Sequence, residues 1–261
     1  MLEGRGGNLA VMAGSDGILM VDDQYAPLTA KILAAVREIS PDPIRFLINT
    51  HWHFDHTGGN EELGEMGAVI VSQDNARQRM SKDQFMTVID RNIPALPAGA
   101  LPVLTFKERM TFHFNGEAVV AYHFAGAHTD GDVIIHFPDS NVIHMGDIYF
   151  NKAYPLIDLE SGGSVQGMID AVQSAMALCH LDTHVIPGHG PLANCADLET
   201  YGQMLADISN RIADLMQQGK NLQEILELRP TAEWDEKLGN GFIKPEQFTQ
   251  FIYTSLSEES P

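Results

Sequence analysis

Apolar residues alternate along the chain between strand-like and helix-like spacing, and this alternation predicts a mixed α/β fold. Two apolar runs, 8–14 and 17–23, flank a Ser-Asp-Gly turn and predict a β-hairpin. Residues 26–39 repeat apolar positions at helical spacing, and 44–50 is a short apolar strand. Further strands are expected at 68–72, 110–115, 117–123, 132–137, 141–146 and 183–187, and further helices at 60–66, 164–178, 196–218 and 245–257. This order predicts two mixed sheets with helices outside them.

The stretch 77–105 interrupts this regular pattern. It contains three prolines and scattered apolar residues, and unpatterned segments of this length within a domain are often lids or binding loops. We therefore expect a lid insertion at about 77–105 that forms one wall of a substrate pocket, because apolar side chains line most ligand pockets. An ordinary helix and loop packed on the outer layer is the alternative. The apolar residues concerned are Met80, Phe85, Met86, Ile93 and Leu96.

Length and composition favour one domain over residues 1–261. Of the 261 residues, 44% are hydrophobic, which suffices for a large core, and no polar or charged linker divides the chain. The formal net charge of -19 repels phosphate backbones, so we expect no nucleic-acid partner. No apolar run approaches the roughly 18 residues that cross a bilayer, so we expect no membrane partner either. The pattern indicates no particular oligomeric state.

The first residues and the cysteines bear on the cellular compartment. The start, MLEGRGGN, has no apolar signal-peptide core, which indicates a cytoplasmic protein, or a periplasmic one whose leader has been removed. Neither Cys179 nor Cys195 belongs to a CxxC pair. We therefore expect no disulfide framework and no thiolate metal site.

The strongest chemical signal is the cluster His51-x-His53-x-Asp55-His56, directly after the apolar strand 44–50. Residues at i and i+2 of an extended segment point the same way, so His51 and His53 can share one metal ion. The turn that must follow lets Asp55 and His56 face a second position. Imidazoles and carboxylates are the ligands that zinc takes at catalytic sites. A histidine-rich surface turn is the alternative.

Three more candidate ligands lie at the ends of predicted strands. His128 stands in GAHTDGD, Asp147 in HMGDIYF and His189 in VIPGHG. Loops at strand ends are held rigidly by the sheet, as binding residues require. Each residue alone is weak evidence, but their order and context support one metal site.

The pattern HxHxDH, followed by a His, an Asp and a His, resembles the metallo-β-lactamase superfamily, and the resemblance covers about residues 8–190. It implies a four-layer αββα sandwich with the metals in a cleft at one edge of the two sheets. It also implies that two zinc ions are bound, although iron or manganese would fit the same geometry. A glutamate in place of His53 would have suggested the diiron flavoprotein branch. The implied ligands are His51, His53 and His128 for the first ion, Asp55, His56 and His189 for the second, and Asp147 for both.

Two zinc ions can share a water and lower its pKa towards neutrality, so the expected activity is attack of this hydroxide on a substrate carbonyl. In the family, the carboxylate at the position of Asp55 also helps to steer the proton. Cyclic amides, with β-lactams first, are the leading substrates, since AGAHTDGDVIIHF is similar to the third-histidine segment of true β-lactamases. Asp147, however, stands where the best-known β-lactamases carry a cysteine. A lactonase or a glyoxalase II-like thioesterase is therefore the alternative, and a zinc-binding protein with vestigial activity is another.

The remaining polar residues carry weaker expectations. Asp22 looks like the family's buried aspartate that braces the metal loop, with an ordinary turn residue as the alternative. Lys152 is the candidate cation for a substrate carboxylate, with a solvated surface lysine as the alternative. We expect no direct chemical role for six further histidines, which show no partner pattern: His113, His123, His136, His144, His180 and His184.

Overall fold

A computed structural model of the chain describes residues 1–258. Its strands, numbered in chain order, are β1 (Ala10–Gly14), β2 (Gly17–Val21), β3 (Ile44–Ile48), β4 (Val69–Gln73), β5 (Gln84–Met86), β6 (Arg91–Ile93), β7 (Leu104–Phe106), β8 (Arg109–Phe114), β9 (Glu117–Phe124), β10 (Asp132–Phe137), β11 (Val142–His144), β12 (His184–Ile186) and β13 (Ala193–Asn194). Its α-helices are α1 (Thr29–Ile39), α2 (Phe54–Thr57), α3 (Asn60–Glu65), α4 (Asp74–Met80), α5 (Val165–Met176), α6 (Cys195–Gln217), α7 (Leu222–Leu228), α8 (Ala232–Leu238) and α9 (Pro245–Glu258). Every strand and helix expected from the apolar spacing is found, with ends that differ by a few residues.

The strands form two large mixed sheets. The first has the order β1-β2-β3-β4-β7, in which β1 is antiparallel to β2 and the other pairs are parallel. The second has the order β13-β12-β11-β10-β9-β8, in which β11 and β12 are parallel and the other pairs are antiparallel. Neighbours such as β4 and β7 are far apart in sequence, so the chain crosses over between them.

The alternation of side chains along the strands defines the layers. In β2, Leu19 and Val21 pack between the two sheets, whereas Ile18 and Met20 pack against the helices outside the first sheet. In β10, Val133 faces the inner layer and Ile134 faces the helices outside the second sheet. Because successive strand residues point to opposite faces, each sheet is covered on both sides. The result is the expected four-layer αββα sandwich of two mixed sheets.

Amphipathic helices form the two outer layers. Helix α1 buries Ile32, Leu33 and Val36 against the first sheet, at the spacing that its sequence predicts. Helices α5, α6 and α9 cover the second sheet in one continuous apolar cluster. Helix α6 begins at a capping box, in which Asn194 accepts from the backbone of Asp197 and the Asp197 side chain accepts in return.

The segment 77–105 is more regular than the sequence indicated. Strands β5 and β6 pair as a short antiparallel hairpin, and β7 joins the first sheet beside β4. Met80 and Ile93 are buried in the core, whereas Phe85 is 49% exposed. The expectation of an irregular segment was wrong because strands of three residues are too short to show a period. Its role as a lid stays a prediction.

Cys179 and Cys195 form a disulfide bond with their Cα atoms 6.0 Å apart, so the expectation drawn from their spacing was wrong. Helices α5 and α6 pack against each other. Cys179 follows α5 closely and Cys195 is the first residue of α6, so this packing brings the two thiols together. Spacing along the chain gives no sign of that contact.

Among residues 1–258, no helix is both long enough and apolar enough to pass through a lipid bilayer.

Candidate metal centre

The seven candidate ligands come from loops at strand ends in both sheets. The histidine cluster follows β3 of the first sheet, while the other three ligands follow β9, β11 and β12 of the second. They meet at one edge of the sandwich, where the chain leaves both sheets. The structure brings all seven together in two groups: His51, His53, His128 and Asp147, and beside them Asp55, His56 and His189.

In the first group, three imidazoles and one carboxylate converge on a common point, with all ligand atoms within 4.8 Å of one another. Nε2 of His128 lies 2.9 Å from Nδ1 of His53. Oδ2 of Asp147 lies 3.9 Å from Nε2 of His51 and 3.8 Å from Nε2 of His128. Three nitrogens and one oxygen are a donor set that zinc takes readily.

The second group is smaller and opens towards solvent. Nε2 of His189 lies 3.4 Å from Nε2 of His56 and 3.3 Å from Oδ2 of Asp55. The side chains of Asp55 and His189 are 17% and 27% exposed, whereas that of His56 is fully buried. Asp147 also reaches this group, since its Oδ1 lies 3.0 Å from Nε2 of His56 and its Oδ2 lies 3.3 Å from Nε2 of His189. Its carboxylate therefore faces both groups.

Hydrogen bonds on the far side of each ring fix which nitrogen points into the site. Nδ1 of His56 donates to Oδ2 of Asp22 at 2.8 Å, and Nδ1 of His128 donates to the Leu156 carbonyl at 2.9 Å. Nε2 of His53 donates to Oδ2 of Asp158 at 2.9 Å. When the ring carries a single proton, the opposite nitrogen keeps its lone pair and points at the other ligands. Such outer contacts set the tautomer and orientation of metal-binding histidines.

Asp22 braces the histidine loop, as the resemblance implied. It is completely buried, and its Oδ1 accepts from the backbone N–H of Thr50 at 2.7 Å. The Thr50 hydroxyl donates to Oδ2 of Asp22 at 2.7 Å and therefore accepts from Nδ1 of His51 at 3.0 Å. One carboxylate thus orients His56 directly and His51 through a hydroxyl.

The polar atoms of the first group fit a bound cation. Lone pairs of His53 and His128 face each other at 2.9 Å, which is repulsive unless a positive charge lies between them. Nε2 of His51 is buried and has no hydrogen-bond partner among the described residues 1–258. Buried polar atoms without a partner are rare and costly, and an ion is a common reason for them.

The pKa shifts agree with this assignment. Burial lowers the pKa of His51 well below its usual range and that of His128 to about 4, so both rings are neutral, as ligation requires. Burial would also lower the pKa of His189, but the carboxylates of Asp147 and Asp55 raise it to about 9. Burial is overcome in the same way at His56, whose pKa the same two carboxylates raise. The carboxylates therefore draw positive charge into the second group, as protons or as a metal ion.

A cavity of about 370 Å³ opens beside both groups. Ligand side chains, among them Asp55 and His189, form one end of it, and Met86 of the β5–β6 hairpin contributes to its wall. A cavity of about 440 Å³ behind this wall contains none of the seven candidate ligands. The apolar lining of the first cavity is Phe54, Met86, Val88, Ile89, Phe150, Ala153, Leu156, Phe242 and Ile243. This is the composition expected of a small-molecule site.

Lys152 does not face this cavity. It lines another cavity, beside Tyr149 and Trp234, so the structure does not support it as the cation for a substrate carboxylate. Its φ of 68° places its backbone in the left-handed region.

Sequence reasoning missed residues that act through contacts with distant parts of the chain. Asp158, which orients His53, is 105 positions away from it, and nothing beside it in the sequence signals that contact. Arg5 lines the ligand cavity and was not singled out. His144 lies outside both ligand groups, as expected, but it is buried and bonds to the Asn8 carbonyl and the Gly146 N–H.

The fold and the site together define a metallo-hydrolase architecture. The chain belongs to the metallo-β-lactamase superfamily, whose family model matches residues 3–189, well over half of it. Hydroxyacylglutathione hydrolase of Pelagibacter ubique (strain HTCC1062) is 25% identical over 126 residues, which are 48% of this chain and 44% of that protein. The match thus spans less than half the length of this relative.

Solved structures share the fold at low sequence identity. The metallo-β-lactamase FIM-1 from Pseudomonas aeruginosa, in a mono-zinc form, has a TM-score of 0.59 and 19% identity, with 77% of this chain and 83% of that chain covered. A stereoselective inverting sec-alkylsulfatase from Pseudomonas sp. has a TM-score of 0.67 and 15% identity, with 95% of this chain but 47% of that chain covered. At such identities these structures support the fold alone.

Proposed function

We propose that this protein is a dinuclear zinc hydrolase that attacks a carbonyl carbon. The observation that carries the proposal is the pair of ligand groups with Asp147 facing both. Three imidazoles in one group, and a carboxylate with two imidazoles in the other, suit two divalent ions that share one carboxylate ligand.

The proposed ligands divide as the two groups do. His51, His53 and His128 would hold the first ion, and Asp55, His56 and His189 the second, with Asp147 shared. Bound zinc would supply Lewis acidity towards a carbonyl oxygen and would lower the pKa of water towards neutrality. Iron or manganese in the same positions would leave the roles of the side chains unchanged.

Asp55 is the proposed catalytic residue. Although burial opposes its charge, the neighbouring His56 and His189 lower the pKa of its carboxyl, so it is ionised at neutral pH. It also lines the cavity and is partly exposed. From there the carboxylate can accept a proton from the attacking water and deliver it towards the leaving group.

Cyclic amides, with β-lactams first, are the leading substrate class. A cavity of about 370 Å³ with mainly apolar walls suits a compact ring system. Thioesters and lactones are the second class, and two observations favour them. The relative from Pelagibacter ubique is named a hydroxyacylglutathione hydrolase, and the shared position of Asp147 is held by a carboxylate rather than by a thiol.

Metal content and turnover test the proposal together. Elemental analysis at saturation should give two tightly held ions per chain, and a single ion would contradict the dinuclear site. A chromogenic cephalosporin, an acyl-homoserine lactone and S-lactoylglutathione should then be assayed with the same preparation. Turnover of one of these substrates would identify the class of bond that the protein hydrolyses. Two bound ions without turnover of any of them would mean a metal-binding protein with vestigial activity and would overturn the proposed hydrolase.

A further inference from the structure

Residues 4–8, Gly-Arg-Gly-Gly-Asn, form a segment that we call the glycine strap. It runs directly over the second ligand group. The N–H of Gly7 donates to the carbonyl of Asp55 at 3.0 Å. A Cβ on Gly7 would lie 2.1 Å from Cε1 of His56, and one on Gly6 would lie 2.8 Å from the Asp55 carbonyl oxygen. Only glycines allow the backbone to lie this close to the metal loop.

The C-terminal residue of the glycine strap, Asn8, is fixed to the His189 loop. The N–H of Asn8 donates to the Gly188 carbonyl at 2.7 Å, and its side-chain amide donates to the carbonyls of Pro187 and Gly190 at 2.9 and 2.8 Å. Asn8 is 1% exposed. The strap therefore links two ligand loops that are far apart in sequence. It is closed at its base by two backbone hydrogen bonds between Leu2 and Leu9, at 2.9 and 3.0 Å.

Arg5 lies in the strap next to the glycines that touch the metal loop, and its side chain lines the ligand cavity. Among the described residues that line this cavity, it is the one lysine or arginine. The arginine ion pairs within residues 1–258 involve Arg79, Arg211 and Arg229, so no carboxylate in that range forms an ion pair with Arg5. In a chain with a net charge of -19, an unpaired guanidinium at the mouth of the site is a distinctive feature.

We infer that Arg5 is a specificity-determining residue that binds a carboxylate of the substrate, so that the substrate is an anion with a second, scissile carbonyl group. The inference rests on the proposed function and narrows its substrate class. Guanidinium groups bind carboxylates through two parallel hydrogen bonds, which fix orientation as well as position. The backbone is fixed on both sides of Arg5, by the hydrogen bonds between Leu2 and Leu9 and by the bond from the Gly6 N–H to Oε1 of Gln24 at 3.3 Å. The bound carboxylate would therefore be held in the cavity that Asp55 and His189 also line.

Matched esters test the inference by kinetics. Mono-4-nitrophenyl adipate and suberate carry a free distal carboxylate, and their methyl esters do not. We expect Arg5→Gln to raise KM for the acids by about tenfold, the low end for a hydrogen bond between charged groups, because Arg5 is exposed. KM for the methyl esters should stay within twofold of the wild-type value. Lys152→Gln is the matched control and should change neither, since Lys152 lines a different cavity.

Binding measurements give a reading that does not depend on turnover. Mercaptoalkanoic acids of three to six carbons, and the mercaptoalcohols of the same lengths, can be titrated calorimetrically into the metal-loaded protein. For the chain length that binds most tightly to the wild-type protein, Arg5→Gln should weaken binding of the acid by about tenfold and leave binding of the alcohol unchanged. Arg5→Lys should restore part of the lost affinity for the acid.

The outcomes separate the two proposals. Equal affinity of wild-type and Arg5→Gln proteins for the acids at every length would overturn the role of Arg5, even if the protein is a proven hydrolase. If the wild-type protein with two bound ions hydrolyses no substrate, the proposed function fails, and the thiol series still decides whether Arg5 binds carboxylates.

Discussion

Replacing Asp22 with asparagine should disturb the metal centre although none of the seven candidate ligands is substituted. Asp22 is fully buried and accepts three hydrogen bonds, from the Thr50 N–H, the Thr50 hydroxyl and Nδ1 of His56. An amide presents one acceptor and one donor in place of two acceptors. Either orientation of the amide therefore places a donor against a donor. The backbone is not a complication, since asparagine tolerates the φ of 59° at this position as aspartate does.

The size of the effect follows from these contacts. Each hydrogen bond to a charged group contributes about 1.5–3 kcal/mol, and two of them meet at Oδ2. Removing a buried charge offsets part of the loss, so we expect the free energy of unfolding to fall by about 2–4 kcal/mol. With Nδ1 of His56 facing an amide N–H, the ring proton moves to Nε2, which faces the second metal position. Affinity for the second ion should fall by about 10–100-fold, as for other outer-shell changes.

Asp23→Asn is the matched control. Asp23 is adjacent and equally buried, but its Oδ1 accepts from the Gly59 N–H rather than from a ligand. Burial raises the pKa of its carboxyl well above the usual range, which favours the uncharged form that an amide resembles. Urea unfolding and competitive zinc titration of both variants give the two quantities. Unchanged zinc affinity in Asp22→Asn, or an equal loss in both variants, would refute the bracing role of Asp22.

Three further changes test other parts of the structure. Asp147→Asn should lower kcat by at least about 100-fold and weaken the second ion, with little change in Tm, because its carboxylate faces both ligand groups; activity within a few fold of wild type would contradict this. Met86→Ala should change the ratio of the KM values for bulky and small substrates, with the zinc content unchanged, because Met86 lines the cavity. Phe85→Ala should leave this ratio unchanged, because Phe85 is 49% exposed and does not line the cavity. Cys195→Ser should reduce the free energy of unfolding by about 3 kcal/mol, the loop-closure value for a separation of 16 residues, measured by denaturation without reductant; no loss would mean that the bond is absent in solution.

Local patterns in the sequence determined most elements of secondary structure. Strands such as β2 and β10, and helices such as α1, show clear apolar periods, because one face or both faces must be buried. Short elements were missed for the opposite reason. Helix α7 has seven residues and a single buried one, Ile225, so its period is invisible, although its capping box at Asn221 and Glu224 is readable.

The candidate ligands were also predicted from the sequence. Four of them lie within six residues of one another after a strand, and metal ligation restricts residue type so strongly that the motif is specific. The structure brings those four together with His128, Asp147 and His189 without adding or removing a member.

Tertiary structure alone decided which residues from distant parts of the sequence come into contact. Asp158 reaches His53, Arg5 enters the cavity, and Cys179 meets Cys195 only because the sheets and helices pack as they do. Each is a residue of ordinary type in an unremarkable sequence context. Metal ligation restricts the type of residue, so a ligand can be recognised from the sequence. A residue that orients a ligand, binds a substrate anion or links two helices is defined mainly by its position in the folded protein. That place is set by the order of the strands, which no local pattern encodes.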